Sequence, residues 1–319
     1  MITTVRLVAK QHRFELALVV VVSLVAGLAA GFVTTRLAGV GVPPDCAAAW
    51  LDSVGTADRC TPLLEAFGRI YFEEAGPVLA SMAVLPFAVG LLAGVPVVGR
   101  ELETGTAQFA WGITPSRVRW LARQLLVVGL ILLVAVGFAS ITSEILEATR
   151  AQSMLAPPFQ NHGLHGAIVL ARACAALAVG LFVGALTGRS LPAFIVGAIV
   201  MAILFMGSGL AREGWASSQP TVVIDGETGN AFDGQVVGLG WLDQTGTIHP
   251  YTDGASLAPP TVEGDVDEWL MANGYEQVQL GITVQTARAW VPIEVAGWLV
   301  LSVAFLGAGA IVVSRRRPT

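Results

Sequence analysis

The amino-acid sequence predicts an all-α integral membrane protein with six transmembrane helices, both termini in the cytoplasm, and a small extracytoplasmic domain between the fifth and sixth helices. The composition is the first reason: 54% of the 319 residues are hydrophobic and only 13% are charged, whereas soluble domains carry about 25% charged residues. The apolar residues also form six long blocks, and the basic residues are concentrated between them. These observations exclude a soluble globular protein.

Each apolar block is long enough to cross a bilayer, whose hydrocarbon core is about 30 Å thick and needs about 20 mostly apolar residues in a helix. The blocks are residues 14–33, 75–98, 120–141, 166–187, 191–210 and 291–313. We expect the first block to be a retained helix and not a signal peptide. Its apolar run is long, and Gly31-Phe32-Val33 is not a small-x-small cleavage site.

The basic residues predict which side of the membrane each segment faces. If the N-terminus is cytoplasmic, eleven of the eighteen basic residues lie on short cytoplasmic segments: Arg6, Lys10, Arg13, Arg100, Arg117, Arg119, Arg123, Arg189, Arg315, Arg316 and Arg317. The other side then holds seven basic and twenty acidic residues. Because basic residues near helix ends favour the cytoplasm, we expect a cell-membrane protein with residues 314–319 as a cytoplasmic tail.

Residues 1–13 precede the first block and carry a basic face. Arg6, Lys10 and Arg13 are spaced by four and three residues, which puts them on one side of a helix. This pattern fits an amphipathic helix at the inner membrane surface, with its basic face toward lipid phosphates. A disordered basic anchor is the alternative, and the sequence leaves both open.

The first predicted outer loop, residues 34–74, contains a short helix over residues 62–72. Thr61 followed by Pro62 is a typical helix start. Within the second span, Pro86 and Pro96 each remove an internal hydrogen bond and predict kinks. The other short connections are residues 99–119 and 188–190 on the cytoplasmic side and 142–165 outside.

Residues 211–290 form the longest predicted outer segment and lack long apolar runs. We expect a small, partly ordered domain. Residues 221–224 followed by Asp225-Gly226 suggest a strand and a turn. Residues 266–271 followed by Asn273-Gly274 suggest a short helix with a glycine stop.

Cys46 and Cys60 are predicted to form a disulfide. Both lie on the first predicted outer loop, in a compartment where disulfides persist. The bridge would close a loop of about 15 residues, which is worth about 3 kcal/mol in the chain-entropy model. Cys174 lies inside the fourth block and is interpreted as a small packing residue.

Arg172 is the only strongly basic residue well inside an apolar block, and charged residues at this depth are candidates for function. It lies about two turns from the outer end of the fourth span, near enough to snorkel. Glu144 or Glu147, at the end of the third span, could instead form an ion pair with it. A role in a substrate pathway is the remaining alternative.

Motifs for nucleotide hydrolysis and metal binding are absent or incomplete. Lys10 is the only lysine and lies outside any P-loop context, so the chain cannot bind and hydrolyse ATP by that route. His162 and His165 have metal-like spacing, but a zinc site needs three or four ligands. A hydrated loop is the favoured interpretation. We therefore expect no catalytic residue, no cofactor and no metal in this chain.

Residues 99–119 combine two carboxylates, a flexible glycine and several apolar side chains on a short loop. Apolar residues in such a place need a partner to cover them, although Phe109 and Trp111 could alternatively rest on lipid headgroups as interface anchors. The residues that distinguish this segment are Glu101, Glu103, Gly105, Thr106, Phe109, Trp111, Pro115 and Arg117.

The motif Glu-x-Glu-x-Gly-Thr over residues 101–106, followed by Pro-Ser-Arg over 115–117, resembles the loop between spans two and three of ABC-2 type transporter permeases. Residues 184–193 resemble the hairpin of spans four and five in a branch common in actinobacteria. Asn273-Gly-Tyr275 and residues 285–294 resemble the entry to span six in that branch.

This resemblance implies a permease with a type V exporter-like fold. Its implied partners are two cytosolic ATPase subunits, which bind ATP and magnesium, and a second permease copy or close relative. Residues 99–119 would be the coupling segment that the ATPases push. The implied activity is outward movement of a hydrophobic or amphiphilic substrate across the lipid bilayer, with no nucleic-acid partner.

Two other classes of function remain open at this point. An ABC-type membrane protein for antibiotic sensing or self-resistance would bind its ligand on the outer domain, with net transport secondary. An intramembrane enzyme would need several polar groups that converge inside the bilayer, and Arg172 alone does not supply them.

Overall fold

A computed structural model describes residues 8, 10–43, 46, 59–113, 116–154, 162–224, 235–260 and 265–316, without the side chains of 108–110, 113 and 151–154. Most of the predicted surface helix over residues 1–13 lies outside these ranges, as does the predicted turn at Asp225-Gly226. Where the chain is described, helices dominate the architecture.

Among the described residues, six helices are long and apolar enough to cross a membrane, which agrees with the predicted number of spans. The chain is therefore a multi-pass membrane protein. The six are α1 Arg13–Val40, α3 Gly76–Glu103, α5 Arg117–Met154, α6 Ala167–Thr187, α7 Ser190–Ser217 and α10 Val284–Arg315.

Two short helices flank α3. Helix α2, Thr61–Ile70, continues through a single π-helical turn, Tyr71–Ala75, into α3. Pro77 lies two residues after the end of this turn, and its missing N–H removes one ordinary helical hydrogen bond at that point. After α3 ends, helix α4, Thr106–Ile113, leads toward α5.

Helix α6 lies at the centre of the bundle. In its most apolar 18-residue stretch 78% is buried, whereas the corresponding stretches of α7 and α10 are each 17% buried. Its main neighbours are α3 and α10, while α1 packs chiefly on α5. The sequence explains this position, because alanine and glycine make up much of α6 and small residues let helices approach closely.

The close approach of α3 to α6 depends on glycines of both helices. A methyl group on Gly90 would lie 2.6 Å from the carbonyl oxygen of Ala173, and one on Gly184 would lie 2.9 Å from that of Val95. Gly94 faces the backbone of Leu177 in the same way. Larger residues at these positions would force the helices apart.

The segment between α7 and α10 contains a β-sheet, so the all-α prediction is wrong for this part of the chain. Four antiparallel strands lie in the order β1-β4-β2-β3. Alternating and glycine-rich stretches pair here over long sequence separations, whereas the local sequence pattern indicated only the first strand. The strands are β1 Val222–Ile224, β2 Gln235–Leu242, β3 Ile248–Pro250 and β4 Glu276–Ile282.

Helices α8, Gly254–Leu257, and α9, Val266–Ala272, accompany the sheet. Strand β1 and helix α9 lie where the sequence suggested a strand and a helix. The Asp265 side chain accepts a hydrogen bond from the Asp267 N–H at the start of α9, and Gly274 follows its end at φ 84°. Trp241 of β2 is fully buried and stacks on Tyr251.

The sheet is seated on the ends of two spans. Ala216 of α7, Ala287 of α10 and Ile282 of β4 form a buried cluster. The Trp215 and Trp290 rings lie beside it, with centroids 5.3 Å apart. These contacts fix the small domain relative to α7 and α10.

Candidate functional site

The segment between α3 and α5 folds back against the bundle. Gly105 makes the turn at φ 77°, a backbone conformation that favours glycine, and Thr106 begins α4. Gln11 and Glu101 are hydrogen-bonded here, as are Arg117 and Arg316. We call this end of the bundle the terminal face, because it holds residues close to both chain ends.

Glu101 is buried and bonded within its own chain. Its carboxylate accepts hydrogen bonds from the Gln11 amide and from the Thr106 hydroxyl, which lies 2.5 Å from it. Glu101 is therefore occupied within its own chain, and its carboxylate joins the chain before α1 to the start of α4.

Glu103 has a different role from Glu101 although both belong to one motif. Its Oε2 atom accepts hydrogen bonds from the Ser190 N–H at 2.9 Å and from the Ser190 hydroxyl at 2.8 Å. Ser190 is the first residue of α7, where helix N–H groups lack internal partners. Glu103 thus caps α7 and connects it to the end of α3.

Trp111 is only 9% exposed and belongs to the main apolar core. Its ring meets Trp120 edge-on with centroids 6.1 Å apart, and the Arg117 guanidinium lies 4.8 Å from the ring centroid. The sequence led us to expect that a partner or lipid headgroups would cover Trp111, but its own chain already encloses the ring. The Phe109 side chain and Pro115 lie outside the described residues.

Next to this segment, His12 is buried at the start of α1. Burial lowers the pKa of His12, since the charged ring would lose its hydration. Glu101 and Glu15 oppose this shift, and Arg100 reinforces it. The Nε2 atom of His12 has no hydrogen-bond partner within the described part of the chain.

The second polar cluster is buried near the opposite end of α6. Arg172 donates a hydrogen bond from NH2 to Glu294 Oε1 at 2.8 Å and from NH1 to the Gly163 carbonyl at 2.6 Å. Both side chains of this ion pair are 5% exposed. The predicted pairing of Arg172 with Glu144 or Glu147 is corrected: α10 supplies the carboxylate, since it packs along α6.

Glu294 collects further donors besides Arg172. The indole N–H groups of Trp290 and Trp298 lie 3.0 Å and 3.3 Å from its two oxygens, and His162 Nε2 lies 3.2 Å from Oε2. Such a set offsets the cost of burying a carboxylate. Sequence reasoning missed Glu294, although the spacing Trp290-x-x-x-Glu294-x-x-x-Trp298 puts all three on one helix face.

The other two glutamates have partners closer in sequence. Glu144 Oε2 lies 2.7 Å from His165 Nδ1, and Glu147 forms a buried ion pair with Arg150 three residues later. No group of three or more His, Cys, Asp or Glu side chains with metal-site geometry occurs among the described residues.

Cys46 and Cys60 are joined by a disulfide. Both cysteines are buried together with Leu64 of α2. The bridge therefore ties the chain after α1 to the helix that leads into α3.

The sequence profile of the family described as ABC-2 membrane transporter related matches residues 16–212. This range runs from α1 to α7 and includes α4. No curated protein and no solved structure matches the chain.

Proposed function

Since this chain belongs to the ABC-2 membrane transporter related family, whose members are membrane components that work with an ABC ATPase, we propose that it is the permease subunit of an ATP-driven exporter. Its substrate would be a hydrophobic or amphiphilic molecule moved outward across the cell membrane. The energy would come from ATP and magnesium bound by a separate cytosolic subunit.

The observation that carries this proposal is helix α4 between the second and third spans. It lies on the terminal face, where Glu101 connects it to the chain before α1 and Glu103 connects α3 to α7. A push on α4 would therefore reach three spans at once. Hydrogen-bonded elements of this kind can transmit a conformational change from an ATPase to a substrate cavity.

The proposed orientation puts the terminal face in the cytoplasm. The arginine distribution supports it, because Arg100, Arg117 and Arg189 all flank that end of the bundle. The β-sheet segment would then lie outside the cell. Two copies of the permease with two ATPase subunits would form the complete exporter.

The test is ATP-dependent uptake of a lipophilic fluorescent dye by inverted vesicles that contain this chain and a co-expressed cytosolic ABC ATPase. We expect uptake with the wild-type chain and stimulation of the ATPase by it. Phe109→Ala should reduce that stimulation at least about tenfold while the protein still inserts, because truncating an interface anchor costs at least about 2 kcal/mol.

The matched control is Trp111→Ala, which removes an aromatic ring of the same helix that this chain itself encloses. That variant should lower thermal stability in detergent. Unchanged ATPase stimulation by Phe109→Ala would contradict the coupling role of α4. A stable ATPase complex without dye uptake would instead favour the sensing or self-resistance function.

A further inference from the structure

A groove lies between α5, α6 and α10 at the end of the bundle opposite the terminal face. Two adjoining cavities of 450 and 560 Å³ form it; small-molecule sites measure roughly 300–1,000 Å³. The two cavities share Glu144, Gly166, Ala167 and Val291. They are therefore one continuous groove with two differently lined parts.

One part of the groove is apolar and the other is charged. Ile141, Ile145 and Leu170 line the apolar part together with Val291. The charged part adds Arg288, and Glu144 lies where the two parts meet. This division matches an amphiphile whose hydrocarbon chain lies in the apolar part, toward the bilayer centre, and whose headgroup lies in the charged part.

The charged part lies at the level of lipid headgroups. Glu144 follows the apolar block ending at residue 141 by three residues, and Arg288 precedes the block starting at 291 by three. At 1.5 Å per helical residue, each charge is about 4.5 Å beyond the hydrocarbon-spanning stretch. An amphiphile in the groove would thus present its headgroup to both side chains.

The two charges select the type of headgroup. Arg288 makes no hydrogen bond or ion pair within the described part of the chain, so its guanidinium is available for a phosphate. The Glu144 side chain is 57% exposed and uses only Oε2 for His165, which leaves Oε1 to accept from an ammonium group. The nearby Glu147 is already paired with Arg150.

We propose that this groove is a binding site for an aminophospholipid of the surrounding bilayer, with the phosphate on Arg288, the ammonium on Glu144 and an acyl chain along Ile141 and Leu170. A phosphatidylglycerol headgroup would bring no cation for Glu144. A choline headgroup would bring a cation without N–H donors. Phosphatidylethanolamine supplies both charges and the donors. The inference requires only the membrane location and not the exporter function.

The experiment is native mass spectrometry of the full chain in detergent with equimolar dioleoyl phosphatidylethanolamine, phosphatidylcholine and phosphatidylglycerol. We expect the wild type to retain phosphatidylethanolamine roughly tenfold better than phosphatidylglycerol. This ratio corresponds to one charge-assisted hydrogen bond, the one between the ammonium group and Glu144. Arg288→Ala should lose this retention. Arg69→Ala, which removes an exposed arginine of α2, should keep it.

Two further variants test the geometry. Glu144→Gln should bind phosphatidylethanolamine and phosphatidylglycerol equally, since the discriminating charge is gone. Ala167→Trp should fill the groove and exclude all three lipids. Equal retention of the lipids by the wild type, or identical behaviour of Arg288→Ala and Arg69→Ala, would overturn the proposal. A change in oligomeric mass with Ala167→Trp would overturn it too, because a second protein copy would then occupy the groove.

Discussion

At the scale of single residues, the distinctive feature is a full positive charge inside the bundle. Arg172 is satisfied by Glu294 and by the Gly163 carbonyl, and its guanidinium also lies 5.0 Å from the centre of the Phe205 ring. This arrangement holds the loop before α6 and the first half of α10 together. Its stability depends on both charges being present.

Replacing Arg172 by Met should therefore destabilise the protein by about 3 kcal/mol, the lower end of the range for a buried pair that loses one partner. Glu294 keeps three other donors, which is why we expect the lower end. Chemical unfolding in detergent measures the effect. Arg36→Met breaks an exposed pair with Glu74 and should cost less than about 1 kcal/mol. Equal losses in both variants would contradict a stabilising role.

A second residue-scale prediction concerns pH. Burial lowers the pKa of His12 in the folded protein, so the unfolded state binds more protons below the ordinary histidine pKa of about 6.5. Stability should therefore fall as the pH is lowered through that value toward the depressed folded pKa. His12→Gln should remove this part of the pH dependence. Thermal unfolding of both proteins from pH 7.5 to pH 5 gives the difference, and parallel curves would show that His12 contributes nothing.

At the scale of elements, the contact between α3 and α6 is the most restrictive packing in the bundle. It joins the span that leads into α4 with the central span, and glycines at positions 90, 94, 180 and 184 line it. Because backbone atoms face each of these glycines across the contact, no side-chain rotation can make room for a larger residue. The helices would have to move as units.

We predict that Gly94→Ala destabilises the protein by about 1–3 kcal/mol, the usual cost of overpacking. The control is Gly129→Ala on α5, where an added methyl group meets no atom within 4 Å. Both changes alter helix propensity equally, so their difference isolates the packing between α3 and α6. Thermal unfolding in one detergent checks it. Equal unfolding temperatures for Gly94→Ala and Gly129→Ala would mean that α3 and α6 can move apart without loss of stability.

At the scale of the whole molecule, the chain divides into a helical bundle and a small sheet-containing domain. The domain lies at the end of the bundle opposite the terminal face. The domain is attached at Trp215 and Trp290, where α7 ends and α10 begins. The sheet and the groove between α5, α6 and α10 therefore lie toward the same end of the molecule. Helix α4 lies at the other end.

The proposed orientation predicts that the sheet-containing domain is accessible from outside the cell. In a Cys174→Ala background, Ser217→Cys should react with a membrane-impermeant maleimide in intact cells, because Ser217 is exposed at the end of α7. Thr104→Cys on the terminal face should react only after lysis. The reverse pattern would invert the orientation and with it the outward direction of transport.

The sequence by itself determined the six spans, because hydrophobic length is a local property that each segment carries alone. It also indicated the disulfide partners Cys46 and Cys60, and it located the segment that contains α4 through a resemblance between short motifs. Only the tertiary structure decided which charges meet. Arg172 pairs with Glu294, 122 residues away, and Trp111 packs into its own bundle. The sheet likewise pairs β2 with β4, although the 33 residues 243–275 separate the two strands. Such contacts depend on which helices and strands become neighbours, and hydrophobic periodicity specifies only the face that each element buries.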